Sequence, residues 1–444
     1  ADWFDPEWMF GVVDGFDVVI GNPPYVRQEN IEDKEKIIES ISKCFVDQNG
    51  KSLIKINKRS DLYVYFYYKG LDLLKANGIL CYVSSNSWLD VGYGRELQEF
   101  LLRYMHVLMV VDNLIERSFD ADINTVIVFI RRPKSVSWDD ITKFIAFKIP
   151  FEKANRPDVL IKIHQTQEKI ITEEFRVIPK TRKELWIEGI ETENDEIKEK
   201  YLWKYKYVGD KWGGKYLRAP EIFYKILEKG KDKLVRLGDI AEVISGVITG
   251  DNRSYYIPFF PDFNKNEYLP VFKSPKEINK IICQKTDVKW LLKKEDRFLS
   301  KVADFLIGDT KNERFIVHFN KDKIIFEHKF IGINFNHEFK TDTIILMLNS
   351  TLFALFTELF GKPNLGEGAI YLVPFDIKRM IAINPKFLEI PKSENMERFL
   401  NRPILSIFEE LGFPKCTQKN CNHPEHPYEY VKPEEVSFDR IMPD

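Results

Sequence analysis

Phe16-Asp17-Val18-Val19-Ile20-Gly21-Asn22-Pro23-Pro24-Tyr25 (FDVVIGNPPY) is the stretch from which this 444-residue chain is best read. Phe16–Ile20 is a short apolar run that stops at Gly21, the pattern of a buried strand. Downstream, Asp61–Asn77 predicts a helix with Gly78 as its C-cap. Ile79–Ser84 (ILCYVS) predicts a second buried strand. Leu97, Phe100, Leu101 and Tyr104 fall at i, i+3, i+4 and i+7, one face of a helix. Val107–Asp112 and Thr125–Ile130 predict two more strands. Strand and helix signals that alternate in this way predict a doubly wound α/β sheet, with its site at the carboxyl ends of the strands.

The loop that leaves the first strand carries the chemistry. Asn22 offers its side-chain oxygen and Pro23 its backbone carbonyl as hydrogen-bond acceptors. Pro23 and Pro24 fix φ and have no N–H, so the loop is rigid and presents acceptors. An amine that attacks a methyl sulfonium needs such acceptors. They orient its lone pair and hold geometry without a strong base. Tyr25 adds a flat π-face on which a base taken out of its stack can lie. The bland alternative is a stiff turn after a strand. The position after an apolar strand that starts Phe-Asp favours the functional reading.

The segment FDVVIGNPPYV resembles the catalytic motif of amino-methyltransferases that use S-adenosylmethionine. The block DLYVYFYYKGLDLLKANGILCYVSSNSWL resembles the helix-then-strand segment after that motif in adenine-N6 DNA methyltransferases. The resemblance implies that Asn22 and the Pro23 carbonyl bind the adenine N6 amine, with Pro24 stiffening the loop and Tyr25 stacking on the flipped base. Phe119, in ERSFDADINTVIVFI, matches a second family aromatic and is implied to pack on the other side of the adenine. Ser245–Asn252 (SGVITGDN) is similar to the signature that opens the TaqI-like specificity domain, and LMLNSTLFALF (346–356) resembles a helix within it. The likeness is closest to long single-chain restriction–modification methyltransferases of the type IIG kind. It implies S-adenosylmethionine as cofactor and double-stranded DNA as partner. The family's Gly-rich cofactor strand–turn–helix has no counterpart before Asp17. Gly92-Tyr93-Gly94 lacks the third glycine and the downstream acid. A fragment with an incomplete cofactor site, inactive by itself, is therefore expected, as is a chain that opens in mid-pattern without Met.

The implied organisation has four parts: the C-terminal half of a catalytic domain at 1–132, a connecting segment at 133–200, an α+β target-recognition domain at 201–400 and an extension at 401–444. The fold class expected is thus α/β, a partial Rossmann-like sheet followed by an α+β domain. Tyr201–Arg236 holds 10 Lys/Arg against 4 Asp/Glu, interleaved with Tyr201, Trp203, Tyr205, Tyr207, Trp212 and Tyr216. It is read as one wall of a DNA groove, with Lys211, Lys215 and Arg218 on phosphates, against the alternative of a solvated linker. Gly246, Thr249 and Asn252 suit a tight loop that approaches DNA, with a purely structural turn as the equal alternative.

Composition sets outer bounds. With 66 Lys+Arg, 68 Asp+Glu and a net charge of −2, a globally basic nucleic-acid coat protein is excluded. At 44% apolar and 30% charged residues the chain can bury a large core. Five Cys suit a reducing cytoplasm, and no signal-peptide pattern opens the chain. Ile344–Thr357 is too short to span a bilayer and predicts a buried helix, so no membrane association is expected. Cys416, Cys421, His423 and His426 have donor types that suit zinc but tight spacing. A polar surface loop is the preferred reading, and no metal site is assigned. The rival functions are a non-catalytic DNA-recognition module, or methylation of RNA or of a protein glutamine amide by the same loop chemistry.

Overall fold

Burial alternates along Leu74–Ser85: Leu80, Tyr82 and Ser84 are buried, whereas Ile79, Cys81 and Val83 are only half-buried. This period of two places the strand between a fully packed face and a partly open one. The computed structural model describes residues 6–90, 92–115, 124–191, 198–311, 315–336, 338–361, 370–389 and 393–401. The chain divides into two compact units, Ala1–Pro220 and Glu221–Asp444.

The first unit is built on a seven-stranded mixed sheet. Its strands are β1 (Phe16–Gly21), β2 (Leu74–Ser85), β3 (His106–Asn113), β4 (Thr125–Arg131), β5 (Ile141–Phe147), β6 (Ile170–Ile171) and β7 (Phe175–Thr181), in the order β1-β2-β4-β3-β5-β7-β6. β1 is parallel to β2 and β3 to β5, while β4 is antiparallel to both β2 and β3. β1, β2, β3 and β5 therefore point the same way, and their carboxyl ends share one edge of the sheet. The expected α/β sheet is present, and it is mixed because β4 returns antiparallel between β2 and β3.

Helices α1 (Leu62–Asp72) and α2 (Gly94–Tyr104) follow β1 and β2 in sequence. α1 is apolar nearly all round, with Tyr63, Val64, Tyr65, Tyr67, Tyr68 and Leu71 buried, as a core helix must be. Tyr67 sits edge-on to Tyr82 at 5.5 Å, and its hydroxyl shares a 2.7 Å hydrogen bond with Ser84. The predicted 61–77 helix is shorter than expected: it ends at Asp72 and β2 begins at Leu74. Asn77 takes φ +68°, and Gly78 lies inside the strand against the Phe16 and Asp17 carbonyls, where a side chain has no room. On the opposite face, Val111, Ile145, Phe147, Phe175 and Val177 pack on α3 (Pro157–Gln165). An open apolar groove of about 1030 Å³ continues over Met109, Ile127 and Phe129. At the sheet margin Val18 and Ile20 are exposed.

The sheet also corrects the expected boundaries. Residues 141–181 supply three strands of it, so 133–200 is part of the first unit rather than a connector, and 201–220 belongs to that unit as well. α3 does lie between β5 and β7, but these strands pair antiparallel rather than parallel as β1 and β2 do.

The second unit is α+β. Ile282–Cys283, Val317–Asn320, Phe305–Gly308, Phe330–Phe335 and Ala241–Ser245 form one sheet, and Tyr256–Pro258, Trp290–Lys293, Tyr268–Phe272 and Ile325–Phe326 another. Phe272, Leu306, Phe326 and Phe330 form its core. The single helix expected over Ile344–Thr357 is two, Thr341–Leu348 and Thr351–Phe360, bent by 57°. Ser350 breaks them because its hydroxyl accepts the Phe353 N–H as an N-cap. Among the described residues no single helix is long and apolar enough to cross a membrane. Burial raises the Cys283 thiol to about 12, consistent with an inert core residue. Cys416, Cys421, His423 and His426 lie outside the described residues, which hold no cluster of metal-ligating side chains.

Candidate active site

β1 delivers the Asn22–Tyr25 loop to the common carboxyl end of the strands. Gly21 packs against the ring of Tyr82, which a Cβ would meet at 3.0 Å, so the chain leaves the sheet close to β2. Asn22 and Pro24 are exposed, Pro23 is buried and Tyr25 is half-buried. The Tyr25 hydroxyl donates to Asn22 Oδ1 at 2.7 Å. Partial burial raises the Tyr25 phenol above its ordinary value, so it is a protonated donor at neutral pH.

The chain after Tyr25 is fastened to the start of α1. The Leu62 N–H donates to the Val26 carbonyl at 3.0 Å, and the Gln28 N–H to Asp61 Oδ1 at 2.9 Å. The second oxygen of Asp61 accepts from the Tyr93 hydroxyl at 2.8 Å, and that hydroxyl lies 3.0 Å from Tyr63 Oη. One carboxylate thus joins the loop, the start of α1 and the turn before α2. Sequence reasoning missed Asp61 and Tyr93. Asp61 precedes an apolar helix, the position of an N-cap, but its side chain makes no capping bond and bridges loops instead.

Along the same edge, Asp112 closes β3, where burial pushes its carboxyl up to about 6. Phe119 lies outside the described residues. The fit of a nucleotide-type cofactor is tested at the glycines that follow strands. Gly21 is packed on Tyr82, and a Cβ on Gly94 would overlap the Trp88 carbonyl, so neither leaves an open cradle. A Cβ on Gly92, by contrast, would meet nothing within 4 Å, so the turn after β2 has room beside its backbone.

The expected phosphate contacts are corrected. Lys211 is buried, with its ammonium donating to the Asp90 carbonyl at 2.7 Å. Lys215 is buried too; it pairs with Asp210 at 2.8 Å and with Glu188, whose carboxylate also accepts from Tyr216 at 2.7 Å. Arg218 pairs with Asp90 at 2.7 Å, while the other Asp90 oxygen accepts the Gly214 N–H at 2.9 Å. Burial alone would raise the Glu188 carboxyl, but Lys215 and Lys180 outweigh it and hold it well below the usual range. The aromatics around these cations are core as well: Tyr207, Trp212 and Tyr216 are buried, and Trp212 and Tyr216 pack on Phe144. The segment reads as basic in sequence because its partners Asp90 and Glu188 lie elsewhere along the chain.

In the second unit, Gly246 lies against the backbone of Phe326 and Glu327, where a Cβ has no room, so its role is packing. Thr249 and Asn252 do meet: the Thr249 hydroxyl donates to Asn252 Oδ1 at 2.8 Å in an exposed turn, with Gly250 at φ +79°.

Residues 2–119 match the family model of the Eco57I restriction-modification methylase. That stretch contains β1, the Asn22–Tyr25 loop and both helices that brace it. Among curated relatives, the type II methyltransferase M.BstVI of Geobacillus stearothermophilus is 36% identical over 97 residues, 22% of this chain and 16% of that protein. M.AccI of Acinetobacter calcoaceticus, also a type II methyltransferase, is 24% identical over 291 residues, 64% of this chain and 45% of that protein. The chain therefore matches less than half the length of either relative. Among solved structures, the type IIG restriction endonuclease BpuSI aligns with a TM-score of 0.41 at 14% identity, covering 88% of this chain and 49% of that one.

Proposed function

We propose that this chain carries the amine-binding half of an adenine-N6 DNA methyltransferase from a restriction–modification system, acting in the cytoplasm on a specific double-stranded sequence. The observation that carries this reading is the rigid Asn22-Pro23-Pro24-Tyr25 loop at the carboxyl end of β1, within the stretch that matches the methylase family. The target adenine leaves the duplex and lies on the Tyr25 ring. Its N6 amine donates to Asn22 Oδ1 and to the Pro23 carbonyl, which turns the nitrogen lone pair outward. S-adenosylmethionine is the methyl donor in this reading. Phe119 is assigned to the second face of the adenine. The exposed turn with Thr249 and Asn252 is assigned to DNA contact, and Lys211 and Lys215 are withdrawn from that role by their burial.

The test is transfer of a labelled methyl group to adenine in plasmid DNA by the intact protein that contains this chain. Asn22→Ala is expected to abolish transfer while DNA retention persists. Undiminished methylation by that variant would overturn the assignment, and labelled RNA or protein in its place would move it to another amine.

A further inference from the structure

In the resting site Asn22 Oδ1 is already engaged. The Tyr25 hydroxyl donates to it at 2.7 Å, the ordinary length of a full-strength O–H···O bond. The same oxygen is the acceptor assigned to the substrate amine, and the same tyrosine is the ring that must receive the base. An amide oxygen has two lone pairs, so the competition is for the position of the tyrosine ring as well as for the acceptor.

We propose that the Tyr25 hydroxyl is a placeholder donor, which substrate entry replaces with the N–H of the incoming amine. This inference rests on the adenine-binding reading and adds a conformational step to it. The backbone on either side does not supply the movement. Pro23 and Pro24 fix φ before Tyr25, and the Val26 and Gln28 backbone groups are fastened to Leu62 and Asp61 after it. The side chain does, by turning about its own torsions from Asn22 to a stacking position.

The exchange is chemically selective. A base with an exocyclic amine replaces the hydrogen bond it breaks. A flat ring without one leaves the Asn22 oxygen to water. The hydroxyl also keeps Asn22 oriented before an amine arrives, because an amide whose oxygen is already held in place cannot present its NH2 group instead.

The test compares binding of 9-ethyladenine and 9-ethylpurine, which lacks the amine, to the full chain by NMR titration. Tyr25→Phe keeps the ring and removes the donor. It is expected to tighten both ligands by roughly two- to tenfold, the worth of one released neutral hydrogen bond. Asn22→Ala is expected to tighten the purine while the adenine gains nothing, since its own bond is lost. Weaker or unchanged binding of both rings to Tyr25→Phe would overturn the placeholder. Equal affinity of the two rings in the parent, and an equal response to Asn22→Ala, would instead overturn amine recognition by Asn22. In that case tightening by Tyr25→Phe would still support the release step. Binding of neither ring would overturn both.

Discussion

Replacing Lys215 with Ala separates a phosphate contact from a buried ion pair. The Lys215 side chain is 9% exposed and Asp210 1%, and the ammonium bridges Asp210 and Glu188. Removal of the cation leaves the buried Asp210 carboxylate without it, while Glu188, 25% exposed, still pairs with Lys180. Breaking a buried pair by removing one partner costs about 3–5 kcal/mol. For a unit of this size each kcal/mol shifts the midpoint by about 2–4 °C, so melting is expected to fall by about 10 °C. Tryptophan fluorescence follows that transition, because Trp88, Trp138, Trp186, Trp203 and Trp212 all lie in the first unit. The pH dependence has a definite sign. A carboxyl held below its unfolded value contributes stability above the unfolded range near pH 4.3, and that stability is lost as pH falls through the folded value. In the parent the Glu188 contribution is therefore lost progressively as pH falls below about 4, and Lys215→Ala shrinks it, leaving Lys180 to hold the carboxylate. A phosphate-binding lysine behaves differently: its loss flattens the salt dependence of DNA binding by about one unit of slope and leaves melting unchanged. An unchanged midpoint with a flatter salt slope would refute the buried-pair reasoning.

Two further predictions concern the edge of the sheet. Burial raises Asp112 to about 6, so its charged form costs the native state free energy above that pH, and the cost vanishes as pH falls through 6 toward 4. Asp112→Asn is expected to stabilise the protein by about 1–2 kcal/mol at pH 8 and by nothing at pH 4, read from urea midpoints at both values. Asp61→Ala removes the acceptor for both the Gln28 N–H and the Tyr93 hydroxyl, at a cost of about 1–3 kcal/mol. Hydrogen exchange at the Gln28 amide is expected to quicken by about tenfold or more; unaltered protection there would show that Asp61 does not hold the loop.

The candidate site was legible where its signal is local. Asn22, Pro23, Pro24 and Tyr25 are adjacent in the chain, so a proline-stiffened turn that presents acceptors after a strand can be read from a few residues. Asp61 and Tyr93 were not legible, because each contributes through a partner more than 30 residues away. The Lys211–Arg218 segment misled for the same reason: local charge counts see the cations and not the distant acids that neutralise them.

By itself the sequence determined that an α/β unit contains a strand ending in a rigid acceptor loop, and that the helices after β1 and β2 bury apolar faces. Those properties follow from periodicity, proline and side-chain type, which act over a few residues. Only the tertiary structure decided that β4 returns between β2 and β3, and that the first unit runs on to Pro220. It alone placed Lys215 inside and Thr249 outside, and set the Tyr25 hydroxyl on Asn22. Strand order and burial depend on which faces of distant segments cover one another, and no local pattern encodes that choice.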